Sequence, residues 1–74
     1  MATVVLDTLG MKCPQPVLKM AIKAKELQPG DIMEVLADCP SFPNDVEKWC
    51  TNQGKVLLVM SDEGEGKHKA QIQF

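Results

Sequence analysis

Tyrosine is absent, and Phe42, Trp49 and Phe74 are the only aromatic residues among 74. Three rings are too few for the stacking platform that holds single-stranded nucleic acid. A basic surplus is also missing: 8 Lys+Arg stand against 10 Asp+Glu, a formal net charge of −2. Nucleic-acid binders normally carry excess cations to neutralise phosphates, so no nucleic-acid partner is expected. The longest apolar run, VLLVM at 56–60, falls far short of the ~20 residues of a bilayer-spanning helix. MATVVLDTLG has no basic segment ahead of an apolar one, so neither a secretory signal nor a membrane is expected, and the cytoplasm is the expected compartment. No C-x-x-C pair occurs, and His68 is the only histidine. Cys13, Cys39, Cys50 and His68 formally supply a zinc set, but without the close cysteine spacing of a knuckle, so no metal is expected. Gly64-Glu65-Gly66 lacks the Lys-Ser/Thr and following helix of a phosphate loop and reads as a turn.

What the chain does contain is ordinary for a small folded unit. Apolar residues make up 45 % and charged residues 24 %, which fits one globular domain over 1–74. A chain this short buries only about 60 % of its extended surface, so each apolar face counts. Nothing in the pattern demands more than a monomer.

Thr3–Leu6 is β-branched and apolar and reads as a first strand. TLGMKCPQP then forms a loop into a helix, with Val17, Leu18, Ala21, Ile22 and Ala24 at helical spacing as its apolar face. Gln28-Pro29-Gly30 stops that helix, and Ile32–Ala37 reads as a second strand. A stiff loop over 38–43 follows. Asn44 is the expected N-cap of a second helix whose apolar face carries Val46, Trp49 and Cys50. After Gly54, Lys55–Met60 reads as a buried third strand, DEGEGKHK as a charged turn, and Ala70, Ile72 and Phe74 as the alternating face of a fourth strand. The order β-α-β-α-β-β makes the first three strands parallel and the fourth antiparallel. The fold class is therefore α+β, a two-layer α/β sandwich with a four-stranded mixed sheet and two helices on one face. That topology gathers the loops after the first, second and third strands at one end.

Cys13-Pro14-Gln15-Pro16 is the most informative tetrad. A cysteine just before a helix sits at the positive end of the macrodipole, which favours thiolate over thiol. Two prolines fix the local dihedrals and remove two N–H donors, leaving Gln15 and Val17 to face the sulfur. Lys12 adds positive charge. Acyl transfer would need a base, and only His68 is available. Thiol–sulfane exchange needs only an exposed thiolate and room for a partner's sulfur, and fits better. Three cysteines cannot all pair within one chain, and reduced thiols are expected. Cys50, on an apolar helical stripe, reads as core. Cys39 shares the end of the fold with Cys13 and is either a second thiol of the site or a loop cysteine without a role.

Asp7-x-x-Gly10-x-x-Cys13-Pro14-x-Pro16, with Pro29-Gly30, Ala37-Asp38-x-Pro40 and Asp45, resembles the TusA (SirA-like) family of sulfur-carrier proteins over essentially the whole chain. The resemblance implies a sheet order of 1-2-4-3 and a sulfurtransferase that carries sulfane sulfur as a persulfide on Cys13. It implies Gly10, Lys12, Pro14 and Pro16 as supporting motif. It further implies a cysteine desulfurase or rhodanese-type donor and a DsrE-type or other acceptor, serving tRNA thiolation, molybdenum-cofactor synthesis or sulfur oxidation, with no cofactor. Cys39 stands where relatives commonly lack cysteine. Lys19 and Lys23 are candidates for docking a partner by charge complementarity. The rival reading is a thiol redox sensor or oxidoreductase that uses Cys13 and Cys39.

Overall fold

The computed structural model describes residues 2–13 and 15–74. Pro14, part of the expected supporting motif, lies outside the described residues. The chain runs through β1 (Thr3–Asp7), α1 (Gln15–Ala24), β2 (Ile32–Ala37), α2 (Phe42–Gln53), β3 (Val56–Gly64) and β4 (Lys67–Gln73). The sheet order is β1-β2-β4-β3, with β1 parallel to β2 and β4 antiparallel to both β2 and β3. β1, β2 and β3 therefore share one direction, as the element order requires.

Period-two alternation in β2 sends Met33, Val35 and Ala37 inward. Their cross-strand partners on β4 include Ile72 and Ala70, which face the same way. Met20 from α1 and Phe42, Val46 and Cys50 from α2 complete one buried cluster with them. Both helices thus cover the same face of the sheet. Phe42 is fully buried and contributes the most apolar volume, worth about 1.5–3 kcal/mol of transfer free energy. The other sheet face is covered by neither helix, and there Gln71 Nε2 donates to Glu34 Oε1 at 3.0 Å.

Several boundaries differ from the sequence reading, each for a physical reason. β3 is not a buried run: Val56, Leu58 and Val59 are 54 %, 44 % and 41 % exposed. It is an edge strand with one covered face, and a register shift between Leu57 and Val59 lets Leu57 and Met60 both reach the core. The β3–β4 turn is also tighter than expected. Glu65 and Gly66, at φ 55° and 77°, form a two-residue connection with both central residues left-handed. That backbone matches the twist of a hairpin, so the strands extend through the charged segment.

Helix α1 begins at Gln15 and ends at Ala24, and its inward line is Pro16 and Met20, both buried. Leu18 and Ile22, assigned above to the buried face, are 56 % and 64 % exposed. The apolar arc of α1 is wider than the single sheet beneath it can cover. Helix α2 starts at Phe42, with Ser41 rather than Asn44 at the N-cap and Pro43 in the first turn. Its C-terminus closes with Lys55 N–H donating to Cys50 O at 2.9 Å and Gly54 N–H to Thr51 O. Among the described residues, no helix is long and apolar enough to cross a membrane.

Candidate functional site

The loop from β1 to α1 is fastened before it reaches Cys13. Thr8, fully buried, donates its N–H to Leu36 O at 2.8 Å and its hydroxyl to the same carbonyl. Asp7 Oδ1 accepts from Leu9 N–H at 3.0 Å. Gly10 N–H then donates to the Asp38 carboxylate, 3.1 and 3.0 Å from its two oxygens. Gly10 sits at φ +83° with open space around a would-be Cβ. Its place in the motif is therefore conformational: the left-handed backbone aims the loop back across the end of β2.

Cys13 follows as an exposed residue, two positions before α1. The N–H groups expected to face its sulfur are not all available. Gln15 N–H donates to Lys12 O at 2.8 Å and closes a turn around Cys13. Lys12 contributes this carbonyl, and its side chain is exposed. Pro16 is buried within the first turn of α1 and anchors that helix end on the core.

The second wall of the site comes from the β2–α2 loop. Cys13 and Cys39 form a disulfide, with Cα atoms 5.7 Å apart and a sequence separation of 26. The expectation of three reduced thiols is corrected here, because the parallel β1–β2 pair ends both loops side by side. Cys39 belongs to the core at 2 % exposure, on the buried side of its pair with Cys13. Cys50 stays free and buried, and burial pushes its thiol pKa up.

Ser41 and Asp45 join this pair. The Ser41 hydroxyl lies 2.9 Å from Cys13 Sγ, 3.4 Å from Cys39 Sγ and 2.8 Å from Asp45 Oδ2. One hydroxyl proton serves one acceptor at a time, so donation to Asp45 and donation to a sulfur compete. Ser41 occupies the N-cap position of α2 but makes no side-chain cap bond. Its oxygen is committed to the site instead. The Cys13 sulfur thus lies close to the N-terminal ends of both helices, where aligned peptide dipoles favour negative charge.

Ser41 had no part in the sequence reading, and Asp45 entered only as part of a family pattern. The available signal was Ser41-Phe42-Pro43, a cap residue before a first-turn proline, with acidic Asp45 in the same turn. The Cys13 and Cys39 sulfurs and an Asp45 carboxylate oxygen lie within 4.8 Å of one another, a group that includes neither Cys50 nor His68. His68 instead stacks on Phe42, ring centroids 6.4 Å apart. Of the docking candidates, Lys19 is exposed and Lys23 reaches Glu26 at 3.4 Å. A groove of about 520 Å³ lies between the C-terminal ends of the helices, lined by Ala24, Leu27, Trp49 and Gln53 among others. Cys13 and Cys39 stand at the opposite ends of those helices.

Comparison with known proteins bears on the family and the fold. Residues 4–73 match the family model described as sulfurtransferase TusA. The chain is 36 % identical over 59 residues to the sulfur carrier protein TusA of Pseudomonas aeruginosa, covering 80 % of this chain and 75 % of that one. The protein of the same name from Pseudomonas paraeruginosa shows the same identity and coverage. A crystal structure of a SirA-like protein from Desulfitobacterium hafniense superposes with a TM-score of 0.81 at 26 % identity, over 99 % of this chain and 96 % of that one.

Proposed function

The chain belongs to the TusA family of sulfur carriers, and from that premise we propose that it relays sulfane sulfur as a persulfide on Cys13. The observation that carries the proposal is an exposed Cys13 at the start of α1 with a hydroxyl 2.9 Å from its sulfur. In the reduced protein the Cys13 thiolate attacks the terminal sulfur of a donor persulfide. A bond forms between that sulfur and Cys13 Sγ, and the donor cysteine leaves as thiolate. Delivery is the same exchange reversed, with an acceptor thiolate attacking the terminal sulfur and Cys13 departing. No electrons are gained or lost overall, so neither metal nor organic cofactor is called for.

Such a site needs protein partners more than a pocket. Leu18 and Ile22 are exposed one turn apart on α1, beside Lys19, an apolar and cationic strip suited to a docking protein. Donor and acceptor are proposed as a cysteine desulfurase or rhodanese-type protein and a DsrE-type or other carrier, met by a cytoplasmic single-domain monomer. Lys23, already near Glu26, is the weaker docking group of the two lysines.

The test is intact-protein mass spectrometry of the reduced chain after exposure to a sulfane-sulfur donor. Wild type should gain sulfur removable by reductant, and Cys13→Ser should gain none while keeping its fold. Loading that survives in Cys13→Ser overturns the assignment. A second reading, a thiol redox protein, is favoured by the Cys13–Cys39 disulfide itself. Failure of the reduced wild type to take up any sulfur, with rapid disulfide formation under mild oxidant, would put that reading first.

A further inference from the structure

Cys13 and Cys39 differ sharply in access. Cys13 is exposed, whereas Cys39 is 2 % exposed and packs in the core. An external sulfur donor reaches the first and not the second. Yet their Cα atoms stand 5.7 Å apart, within the usual range for a disulfide. Any sulfur loaded on Cys13 is therefore held beside a second thiol whose accessible electrophile is Cys13 itself.

We infer that Cys39 resolves a persulfide on Cys13 and releases hydrosulfide, so that this chain can discharge sulfane sulfur as sulfide as well as pass it on. The inference rests on the proposed persulfide at Cys13. Cys39 Sγ attacks Cys13 Sγ, the inner sulfur of the persulfide and the atom it touches. The bond between the two cysteine sulfurs forms, and the bond from Cys13 Sγ to the terminal sulfur breaks. The terminal sulfur leaves with that electron pair and takes up the proton lost by Cys39: Cys13–S–S⁻ + HS–Cys39 → Cys13–S–S–Cys39 + HS⁻. The departing sulfur is reduced to hydrosulfide, Cys39 is oxidised from thiol to disulfide, and no external oxidant is consumed. An external dithiol reopens the disulfide for another round.

Two features favour this direction. Hydrosulfide is the conjugate base of a stronger acid than an alkyl thiol, and the more acidic group leaves faster in thiol exchange. A proton path is also in place. The Ser41 oxygen, 3.4 Å from Cys39 Sγ, can accept the thiol proton while its own hydroxyl proton turns to Asp45 Oδ2 at 2.8 Å. From there the proton is returned through Ser41 to the departing sulfur near Cys13, 2.9 Å away at Sγ.

The experiment mixes the reduced full chain, freed of reductant, with one equivalent of benzenethiosulfonate. That donor yields its sulfane sulfur and leaves as a sulfinate, so hydrosulfide can arise only in the second step. Hydrosulfide is trapped with monobromobimane, and the protein is mapped by mass spectrometry. Wild type should release close to one hydrosulfide per chain and finish as the Cys13–Cys39 disulfide. Cys39→Ala should retain the added sulfur on Cys13 and release on the order of tenfold less hydrosulfide. Cys39→Ser, closer in size at a core position, serves as a second variant and should behave as Cys39→Ala does. Wild type that keeps its persulfide beside a free Cys39, releasing no more hydrosulfide than the variants, overturns the inference. If the variants take no sulfur on Cys13, the carrier reading itself fails, and the inference falls with it.

Discussion

A single hydroxyl proton at Ser41 is contested by the Asp45 carboxylate on one side and two sulfurs on the other. Ser41→Ala removes the donor that supports the Cys13 thiolate; hydrogen bonds to charged groups are worth about 1.5–3 kcal/mol. Alkylation of reduced Cys13 by iodoacetamide at neutral pH should slow by on the order of tenfold. Asp45→Asn should act in the opposite sense, because it removes a nearby negative charge and leaves only a neutral, weaker rival acceptor for the hydroxyl. Equal rates in all three proteins would mean that the hydroxyl does not serve the thiolate. The place of Cys13, exposed just ahead of α1, was legible from sequence, since the prolines and the helical period after them mark a helix start. Ser41 was not legible, because a serine ahead of a helix is read as a cap, and only packing shows that its oxygen turns away from the α2 backbone.

Elements position the site through their ends more than through their lengths. Both termini of β2 are tied to other segments by an aspartate. Asp38 accepts from Gly10 N–H at one end, and Asp31 accepts from Gln28 N–H at 2.9 Å and Ala2 N–H at 3.1 Å at the other. The Gly10 link depends on a left-handed backbone, which costs a residue with a Cβ about 1–2 kcal/mol. Gly10→Ala should lower stability by that amount in urea titrations, with no change in the chemistry of Cys13. Asp31 responds to pH. Hydrogen bonds from Gln28 and then Ala2 hold its carboxyl below the ordinary value of 3.8. A carboxyl depressed in the folded state stabilises the fold above its unfolded pKa and loses that contribution as pH falls through the folded one. Asp31→Asn should therefore be less stable than wild type near neutrality, the gap narrowing in strong acid. A gap unchanged across that range would show that the charge is immaterial. Element order and strand direction were readable because hydrophobic period and turn residues agree along the chain. The exposure of Leu18, Ile22 and β3 was not, since periodicity marks an apolar arc without saying how much of it a neighbour covers.

Over the whole molecule, the disulfide links two loops across a sequence separation of 26. Closing a loop of that size in the unfolded chain is worth about 3.5 kcal/mol in the entropy model. Reduction should lower the unfolding free energy by roughly that amount, and a cooperative denaturation followed through Trp49 would report it. No change on reduction would show that the bond adds nothing to the folded state. The sheet order β1-β2-β4-β3 adds a mechanical consequence. β1 is a border strand, joined to the sheet through β2 alone, and it leads directly into the segment that bears Cys13. Cys13 is thus mounted on the margin of the sheet, and its bond to Cys39 rivets that margin to the centre. Reducing the pair, or loading Cys13 with sulfur as proposed, withdraws the rivet. The atom proposed to carry sulfur thus also decides how firmly its own platform is fastened.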